Sequence, residues 1–596
     1  MSEVTMKLVK GGEYLFAAMA KEDAFTPEEL TGEQMQIADT AEQFMRNEIV
    51  PHADRLDHQE PGLMVSLLKK AGELGLLMID GPREYGGLEL DKTTSAIVAE
   101  KVGAYGGYLT AFSAHTVIGT LPLVYFGTRT QKERYLEKLL TGQWLAAYCL
   151  TEPGSGSDAL GAKATATLSE DGKHYILNGT KQFITNGGFA DLFTVFVKID
   201  GKLFTAFLVE RNFEGVSSGP EEKKMGIKGS STTPVILEDV KVPLENLLGE
   251  VGKGHKIAFN VLNLGRFKLG AGTNGSAKAA FAEGVKYANT RKQFGASIGS
   301  FGAIKEKIAD MATAIFAAES LIYRLAGMFD RRLADIPKDI SDYCESCMQA
   351  IEEYALECAI AKVYCSETLD FVVDEVLQIH GGYGYIQEYM AERFYRDSRI
   401  NRIFEGTNEI NRVLIPSILL RRAKGGEIPL GQAMEETFEA MTKGLFVDPV
   451  PADRLGGEKT LLKNLKRLFQ IVMGMAERRF ADRIKHEQEI LMAIADIAIH
   501  IFAFESVVIR AEKICDTAIG SEKGDLARAA AKILALQVAE FSGMAARKVA
   551  FSVCDGKSLP GAIEGIGRLT SYDASGLIPA KRRLANAALD AEKYIF

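Results

Sequence analysis

No uninterrupted apolar run in this chain reaches the roughly 18 residues needed to span a bilayer. Positive charge is not in excess. The 70 Lys and Arg face 79 Asp and Glu, for a net charge of −9. This argues against nucleic acid as a partner, because no cationic surplus is left to neutralise phosphates. Cysteine is scarce, at seven in 596 residues, which does not suggest a disulfide framework. Cys344 and Cys347 form a lone C-x-x-C in a stretch that reads as helix. Structural zinc takes four ligands, so without a second pair these are expected to be ordinary reduced thiols, and no metal site is expected. Tryptophan occurs once, at Trp144. The opening Met1-Ser2-Glu3-Val4 lacks the apolar stretch of a signal peptide, and a cytoplasmic location is expected.

A chain of this length is too long for one hydrophobic core, and two to four domains are expected. Residues 28 to about 145 read mainly as helices. Met35, Ala38, Ala41, Phe44 and Met45 recur at helical spacing up to Pro51. From Ala146 β-branched and aromatic residues take over. Asp171-Gly172 and Asn178-Gly179 flank His174 to Leu177 in a hairpin-like pattern, and Leu192–Ile199 and Phe204–Glu210 read as strands around Asp200-Gly201. Long helices return after Asn263. The expected division is a helical domain at 1–145, a β domain at 146–262, a helical bundle at 263–425, a linker at 426–457 and a further helical domain at 458–596.

That last part carries a repeat. Ile308 through Arg324 aligns with Ile494 through Arg510 at an offset of 186 residues, with ten of 17 positions identical. Ala361-Lys362-Val363 is echoed by Ala531-Lys532-Ile533. The last domain therefore reads as a partial duplicate of the bundle, suited to packing and covering.

Five segments carry chemistry. Tyr148-Cys149-Leu150-Thr151-Glu152-Pro153-Gly154-Ser155-Gly156-Ser157-Asp158 begins as a strand and ends in a Gly/Ser loop whose N–H and hydroxyl groups can bind a phosphate or a carbonyl-rich ring. Phe183-Ile184-Thr185-Asn186-Gly187-Gly188 repeats that layout. Two such loops in one β domain suit a flat heteroaromatic cofactor. In Arg291-Lys292-Gln293-Phe294-Gly295 a guanidinium stands ready for a pyrophosphate, or simply caps a solvated helix end. The glycines of Gln378-Ile379-His380-Gly381-Gly382 permit close backbone approach. Finally, Arg402-Ile403-Phe404-Glu405-Gly406-Thr407-Asn408-Glu409-Ile410 sets a carboxylate behind an aromatic. Desolvation there can raise its pKa, as a base acting on a weak carbon acid requires.

In this order and spacing the five segments resemble the acyl-CoA dehydrogenase family across roughly residues 30–425. The extra helical domain is similar to that of the very-long-chain branch and its long-chain bacterial relatives. The resemblance implies a mainly α fold with a central β domain: an N-terminal helical domain, a middle β-barrel or sandwich and a four-helix bundle, plus the additional domain. It implies FAD between the β domain and the bundle. Tyr148, Cys149, Leu150, Thr151 and Ser157 would meet the isoalloxazine and the thioester region, and Phe183, Ile184 and Thr185 would flank the flavin. Relatives often carry Trp where this chain has Phe183, so an N–H donor is lost there. Arg291, Phe294, Gln378 and Gly382 match positions around the adenosine diphosphate, partly from a neighbouring subunit. Thr407, Asn408 and Glu409 match positions near the cofactor phosphates.

Glu405 matches the family's base. Some relatives place that carboxylate on the first bundle helix, where this chain has Gly265. Arg266 matches a position near the CoA part, with a structural ion pair as its alternative, and Asn263 stands where some relatives have Asp; Phe404 and Gly406 adjoin the substrate. The implied reaction removes an α-proton and a β-hydride from a fatty acyl-CoA in β-oxidation, giving a trans-2-enoyl-CoA. The thioester oxygen is polarised by the Glu405 N–H and a ribityl hydroxyl, and electrons leave to an electron-transferring flavoprotein. Alternatives are a dehydrogenase or oxidase of another acyl thioester, or a non-catalytic scaffold. A homodimer is expected, because the last domain covers the surface through which shorter relatives pair dimers. Leu461, Leu465, Leu468, Val472 and Met475 with Lys463, Lys466 and Arg467 form a basic amphipathic stretch over 459–480. It suits either an anionic membrane surface or a bundle helix with a solvated basic face.

Overall fold

The computed structural model describes residues 8–338, 340–442, 450–517 and 520–596. The opening residues 1–7, read above for a signal peptide, lie outside it. The longer helices of the N-terminal domain are α1 (Gly32–Phe44), α2 (Leu63–Glu73), α3 (Lys92–Val102) and α4 (Arg129–Leu140). Thr31 and Thr128 start α1 and α4 in capping boxes with Gln34 and Gln131, satisfying orphan N–H groups at each helix start.

The β domain is a sheet of eight strands: β1 (Ala146–Cys149), β2 (Thr165–Leu168), β3 (His174–Thr185), β4 (Leu192–Ile199), β5 (Leu203–Glu210), β6 (Val216–Ser218), β7 (Thr232–Pro243) and β8 (Leu247–Leu248). Their order is β6-β7-β3-β2-β4-β5-β8, with β1 parallel to β4. The Asp171-Gly172 and Asp200-Gly201 turns link β2 to β3 and β4 to β5. Asn178-Gly179 departs from expectation, because it lies inside β3. A register shift falls between Leu177 and Gly179, where a Cβ on Gly179 would meet that of Ala164 at 2.5 Å.

The bundle consists of α5 (Gly254–Thr290), α6 (Gly302–Ala334), α7 (Ala355–His380) and α8 (Asn408–Lys424). It starts before the expected boundary at 263, so Asn263 lies within α5. The expected linker 426–457 is corrected over part of its length. It contains α9 (Leu430–Thr442), and α10 (Gly456–Phe480) has already begun by its end; its residues 443–449 lie outside the described ones. α11 (Gln488–Thr517), α12 (Glu522–Val553) and α13 (Leu577–Ala591), with a shorter helix Leu559–Leu569, follow in the last domain.

Two sequence expectations about apolar helices change. The stretches Gly106–Phe126, Gly302–Ala334 and Gln488–Thr517 are long and apolar enough to cross a membrane, although no uninterrupted run shows it; their apolar windows are 72%, 94% and 83% buried inside the protein. The stripe on α10 is also turned inward. Leu461, Leu465, Leu468 and Val472 are buried, and Lys466 is paired with Glu505 and donates to the Ala17 carbonyl at 2.7 Å. The apolar face that a membrane would need is therefore used in packing.

The repeat has a geometric counterpart. α6 and α11 face each other, and equivalent side chains exchange partners across the seam. Arg324 reaches Glu505 at 2.8 Å, and Arg510 reaches Glu319 at 2.6 Å. Arg324 also reaches Ser506 at 3.2 Å, and Arg510 reaches Ser320 at 3.4 Å. Each guanidinium lies over the partner helix's phenylalanine, Phe502 at 4.3 Å and Phe316 at 4.4 Å. The N-terminal segment straps the two bodies together: Gly12 N donates to Glu357 on α7 at 2.7 Å, and Tyr14 Oη donates to the Ala498 carbonyl on α11 at 2.9 Å.

Removing one partner of a buried pair strands the other charge, at a cost of roughly 3–5 kcal/mol. Arg510→Met should therefore lower the thermal midpoint strongly. Glu319→Gln/Arg510→Met should recover part of that loss, and equal midpoints for the two variants would count against the seam as described.

Candidate active site

The loop between the short helix Met390–Ser398 and α8 carries Glu405, and its backbone is unusual. Glu405 has φ +59° and Gly406 φ +80°. The first is a left-handed conformation that a β-bearing residue adopts only when its surroundings enforce it. Those surroundings are identifiable. Arg266 Nε donates to the Glu405 carbonyl at 3.1 Å, and Arg266 Nη1 donates to Asn263 Oδ1 at 3.1 Å. Asn411 Nδ2 donates to the carbonyls of Gly406 and Thr407 at 2.8 and 3.0 Å. Thr407 caps α8, accepting from Ile410 N at 3.3 Å.

This holds the Glu405 side chain against α5. The residue as a whole is half-buried, but its Oε2 is closed off from solvent and has no hydrogen-bond partner among the described residues. A Cβ built on Gly265 would lie 2.7 Å from that oxygen. Gly265 therefore makes room for the carboxyl. Burial pushes Glu405 up to about 7, against the opposing charges of Arg266 and Lys362. Arg266 is itself buried and makes no ion pair within 4.0 Å among the described residues, so the structural ion pair offered as its alternative is absent.

Beside the site, a cavity of about 750 Å³ is lined by Asn263 and Arg266, by Phe259, Ile410, Leu414 and Ile418, and by charges of both signs, among them Lys253, Lys256, Arg421, Glu345 and Glu352. Apolar walls beside charged groups suit a molecule that is part hydrocarbon and part polar.

On the β side, strand alternation separates the expected residues. Tyr148 faces the bundle, its Oη donating to the Ala258 carbonyl on α5 at 3.4 Å, and its ring centroid lies 5.0 Å from that of Phe196 on β4. Cys149 points into the β core and is fully buried, its thiol pushed up to about 12. Ile184 also faces that core. The side chains of Cys149 and Ile184 thus point away from a cofactor on that side, which corrects the expectation for them. Phe183 is thrown out by a second register shift, between Lys181 and Ile184, at φ +58° with 62% of its surface exposed. Leu150, Thr151 and Thr185 are half-buried nearby, and Ser157 is exposed at the loop's end. Lys181 fixes this loop from beneath, donating to Glu152 at 2.7 Å and to the Leu150 carbonyl at 3.3 Å. Buried His115 positions β1: its Nδ1 accepts from Ala146 N at 3.0 Å and its Nε2 faces the Leu139 carbonyl at 3.0 Å, pairings that fix the neutral tautomer.

Arg291 and Gly382 meet in a separate cavity of about 490 Å³, with Tyr287, Gln293, His380 and Tyr383. Among the described residues none lines both cavities. Gln378 is exposed one turn earlier, and Phe294 is 96% exposed. Asn408 is turned away from any phosphate. It is buried, and its amide is held by Lys362, Ser366 and Glu367, which corrects its expected role; Glu409 remains exposed. Phe404 is half-buried beside Glu405. Sequence reading missed Asn411, Lys362 and the Lys181–Glu152 pair. Asn411 carried a signal, a second asparagine one turn after the left-handed pair.

A helical–β–helical oxidoreductase with a buried carboxyl at the domain seam is the class that this fold and site define. Models of the acyl-CoA dehydrogenase N-terminal, middle and C-terminal domains match residues 31–143, 147–240 and 252–420, and a further acyl-CoA dehydrogenase C-terminal domain model matches 464–567. The chain belongs to the acyl-CoA dehydrogenase family. It is 45% identical over 599 residues to a probable acyl-CoA dehydrogenase of Bacillus subtilis (strain 168), covering 100% of both chains. It is 39% identical to the mitochondrial very long-chain specific acyl-CoA dehydrogenase of Mus musculus, over 74% of this chain and 69% of that one. The crystal structure of an acyl-CoA dehydrogenase complexed with FAD from Bacillus anthracis matches with a TM-score of 0.96 and 47% identity, over 99% and 100% of the two chains.

Gly265→Ala should cost little stability, because the clash falls on the end of a flexible side chain. It should cut turnover by at least tenfold by displacing Glu405. Unchanged turnover would show that the carboxyl's seat does not matter. Glu405→Gln should raise the thermal midpoint of the protein above pH 7. An acid whose folded pKa is raised weakens the fold as pH climbs from its unfolded value near 4.3 through about 7, by on the order of 3–4 kcal/mol. An amide escapes that penalty.

Proposed function

We propose that this protein catalyses FAD-dependent α,β-dehydrogenation of long-chain fatty acyl-CoA to trans-2-enoyl-CoA, with Glu405 as the base for the α-proton. The observation that carries the reading is the seat of the Glu405 carboxyl: its Oε2 is closed off from solvent and has no hydrogen-bond partner among the described residues, and desolvation there raises the group towards neutrality. A base poised near neutrality can take a proton from a weak carbon acid and then hold it.

The residues fit the cofactor. Phe183 offers an exposed aromatic face, and the loop from Leu150 to Ser157 offers hydroxyls and backbone N–H groups. Arg291 stands over a ledge at Gly381 and Gly382 where a Cβ would meet nothing within 4 Å. When bound, FAD supplies the acceptor for the β-hydride. The chain's own residues do the rest. Arg266 and Asn411 hold the Glu405 loop, the Glu405 N–H polarises the thioester oxygen, and the apolar wall at Phe259, Leu414 and Ile418 takes up acyl chain and excludes water. The long-chain preference rests on that wall and on the likeness to a very long-chain specific relative.

We further infer a homodimer that passes its electrons to an electron-transferring flavoprotein. Phe294 and Tyr385, 96% and 83% exposed beside the Arg291 cavity, support a second subunit there.

The purified protein should show a flavin absorbance band that palmitoyl-CoA bleaches anaerobically. Glu405→Gln should retain the band and lose bleaching by orders of magnitude, since an amide cannot accept the proton. Absence of bleaching by every acyl-CoA tried would remove the reading. The bleaching rate of the wild-type protein should rise with pH through about 7, as Glu405 gives up its own proton.

A further inference from the structure

Lys362 lies on α7 with none of its surface exposed. Among the described residues its ammonium makes one hydrogen bond, to Asn408 Oδ1 at 2.6 Å, and has no carboxylate within 4.0 Å. An ammonium buried without an ion pair is costly and is kept only where something else is gained.

Its surroundings connect it to the catalytic loop. Asn408 is the first residue of α8, directly after the cap Thr407 and three residues beyond Glu405. The Asn408 amide nitrogen is held by Ser366 Oγ at 3.1 Å and Glu367 Oε1 at 2.9 Å, one turn further along α7. Glu367 is in turn gripped by both Nη atoms of Arg412 at 2.6 and 2.8 Å, and Arg412 also reaches Asp496 on α11 at 2.7 Å. One buried asparagine thus pins the start of α8 to α7.

We propose that Lys362 is a positioning residue for the reaction: it anchors the Glu405–Asn408 segment to α7 and, without touching the Glu405 carboxyl, supplies one of the two positive charges that favour ionisation of that carboxyl in its seat. The other charge is Arg266 on α5. This rests on the reading of Glu405 as the base.

The groups facing Glu405 are Arg266 from α5, Lys362 from α7 and Tyr148 from β1. Those facing Lys362 are Glu405, Arg266, Glu367 and Glu409. Burial lowers Lys362 to about 7, with Glu405 the first of the charges that oppose the fall. Glu405 sits at the same value from the other side, raised by burial and held back by Arg266 and Lys362. Two such groups titrate as a pair, and the midpoints belong to both. A mere structural anchor would affect stability and the overall rate but leave the titration of Glu405 where it is.

The test uses the FAD-loaded full-length protein and three variants. Lys362→Gln keeps a donor and loses the charge, Lys362→Met loses both, and Lys362→Arg keeps the charge. Two readouts are followed against pH: the anaerobic rate of flavin bleaching by palmitoyl-CoA, and the infrared band of the protonated carboxyl that disappears in Glu405→Gln. Lys362→Gln should shift the midpoint of both upward by about 1 pH unit, the loss of one nearby opposite charge. Lys362→Arg should stay within a few tenths of wild type. Midpoints in Lys362→Gln that coincide with wild type, whatever the rate, would overturn the proposal, and so would an equal shift in Lys362→Arg. Should Lys362→Met fail to fold, the Gln and Arg variants still decide. Bleaching that survives in Glu405→Gln would instead remove Glu405 as the base, while the infrared titration would still report whether Lys362 acts on it.

Discussion

A carboxyl group kept from both water and hydrogen bonds lies uphill from every ordinary environment, and a flexible side chain escapes such a place unless the backbone forbids it. Glu405 is forbidden at several points. Its left-handed φ is locked by Arg266 on one carbonyl and by Asn411 on the next two. Gly265 keeps open the space that its Oε2 fills. The N-terminus of α8 is tied to α7 through Asn408. α5 supplies two of these restraints and α7 and α8 one each, so the bundle's packing and the carboxyl's unfavourable state are two descriptions of the same arrangement. The strain is tolerable because the apolar core around it is large and continuous.

Much of this was legible in the residues. β4 and β5 followed from β-branched and aromatic content around Asp200-Gly201, and the change of texture at Ala146 coincides with the start of β1. The helices that carry the site were legible as a return of long helices after Asn263. What failed did so for physical reasons. Asn178-Gly179 has the composition of a hairpin turn, but the preference is local, and β7 pairs along both sides of it. The glycine and proline content of 426–457 suggested a linker, yet α9 forms there because it can lie against α10. The motif at 148–158 marked a stretch without saying which of Tyr148 and Cys149 faces which domain. The parity of a strand against its neighbours decides that, and motifs do not encode it. Lys362 was visible only as one letter of an internal echo. Its meaning depends on a loop that is distant in sequence and adjacent in space.

The amphipathic stretch at 459–480 shows the same limit in another form. A basic helix with an apolar stripe is described equally well by a lipid surface and by a neighbouring bundle. Here the neighbours exist in the same chain, and Lys466 gives up solvent for Glu505 and the Ala17 carbonyl. Period and charge state what a helix can do; the area available elsewhere in the chain determines what it does.

The seam between α6 and α11 has a consequence for how such a surface can change. When two identical faces meet, every residue must serve in two roles at once, and any substitution is felt twice. Joining the two faces in one polypeptide removes that obligation, because each copy is now spelled separately. The divergence is already visible. Glu505 has gained Lys466 on its side. Glu319, its counterpart, has gained Lys278 and the Tyr594 hydroxyl. The four original charges still exchange partners as mirror images, while their attendants differ, so each half of the contact is free to vary without rewriting the other.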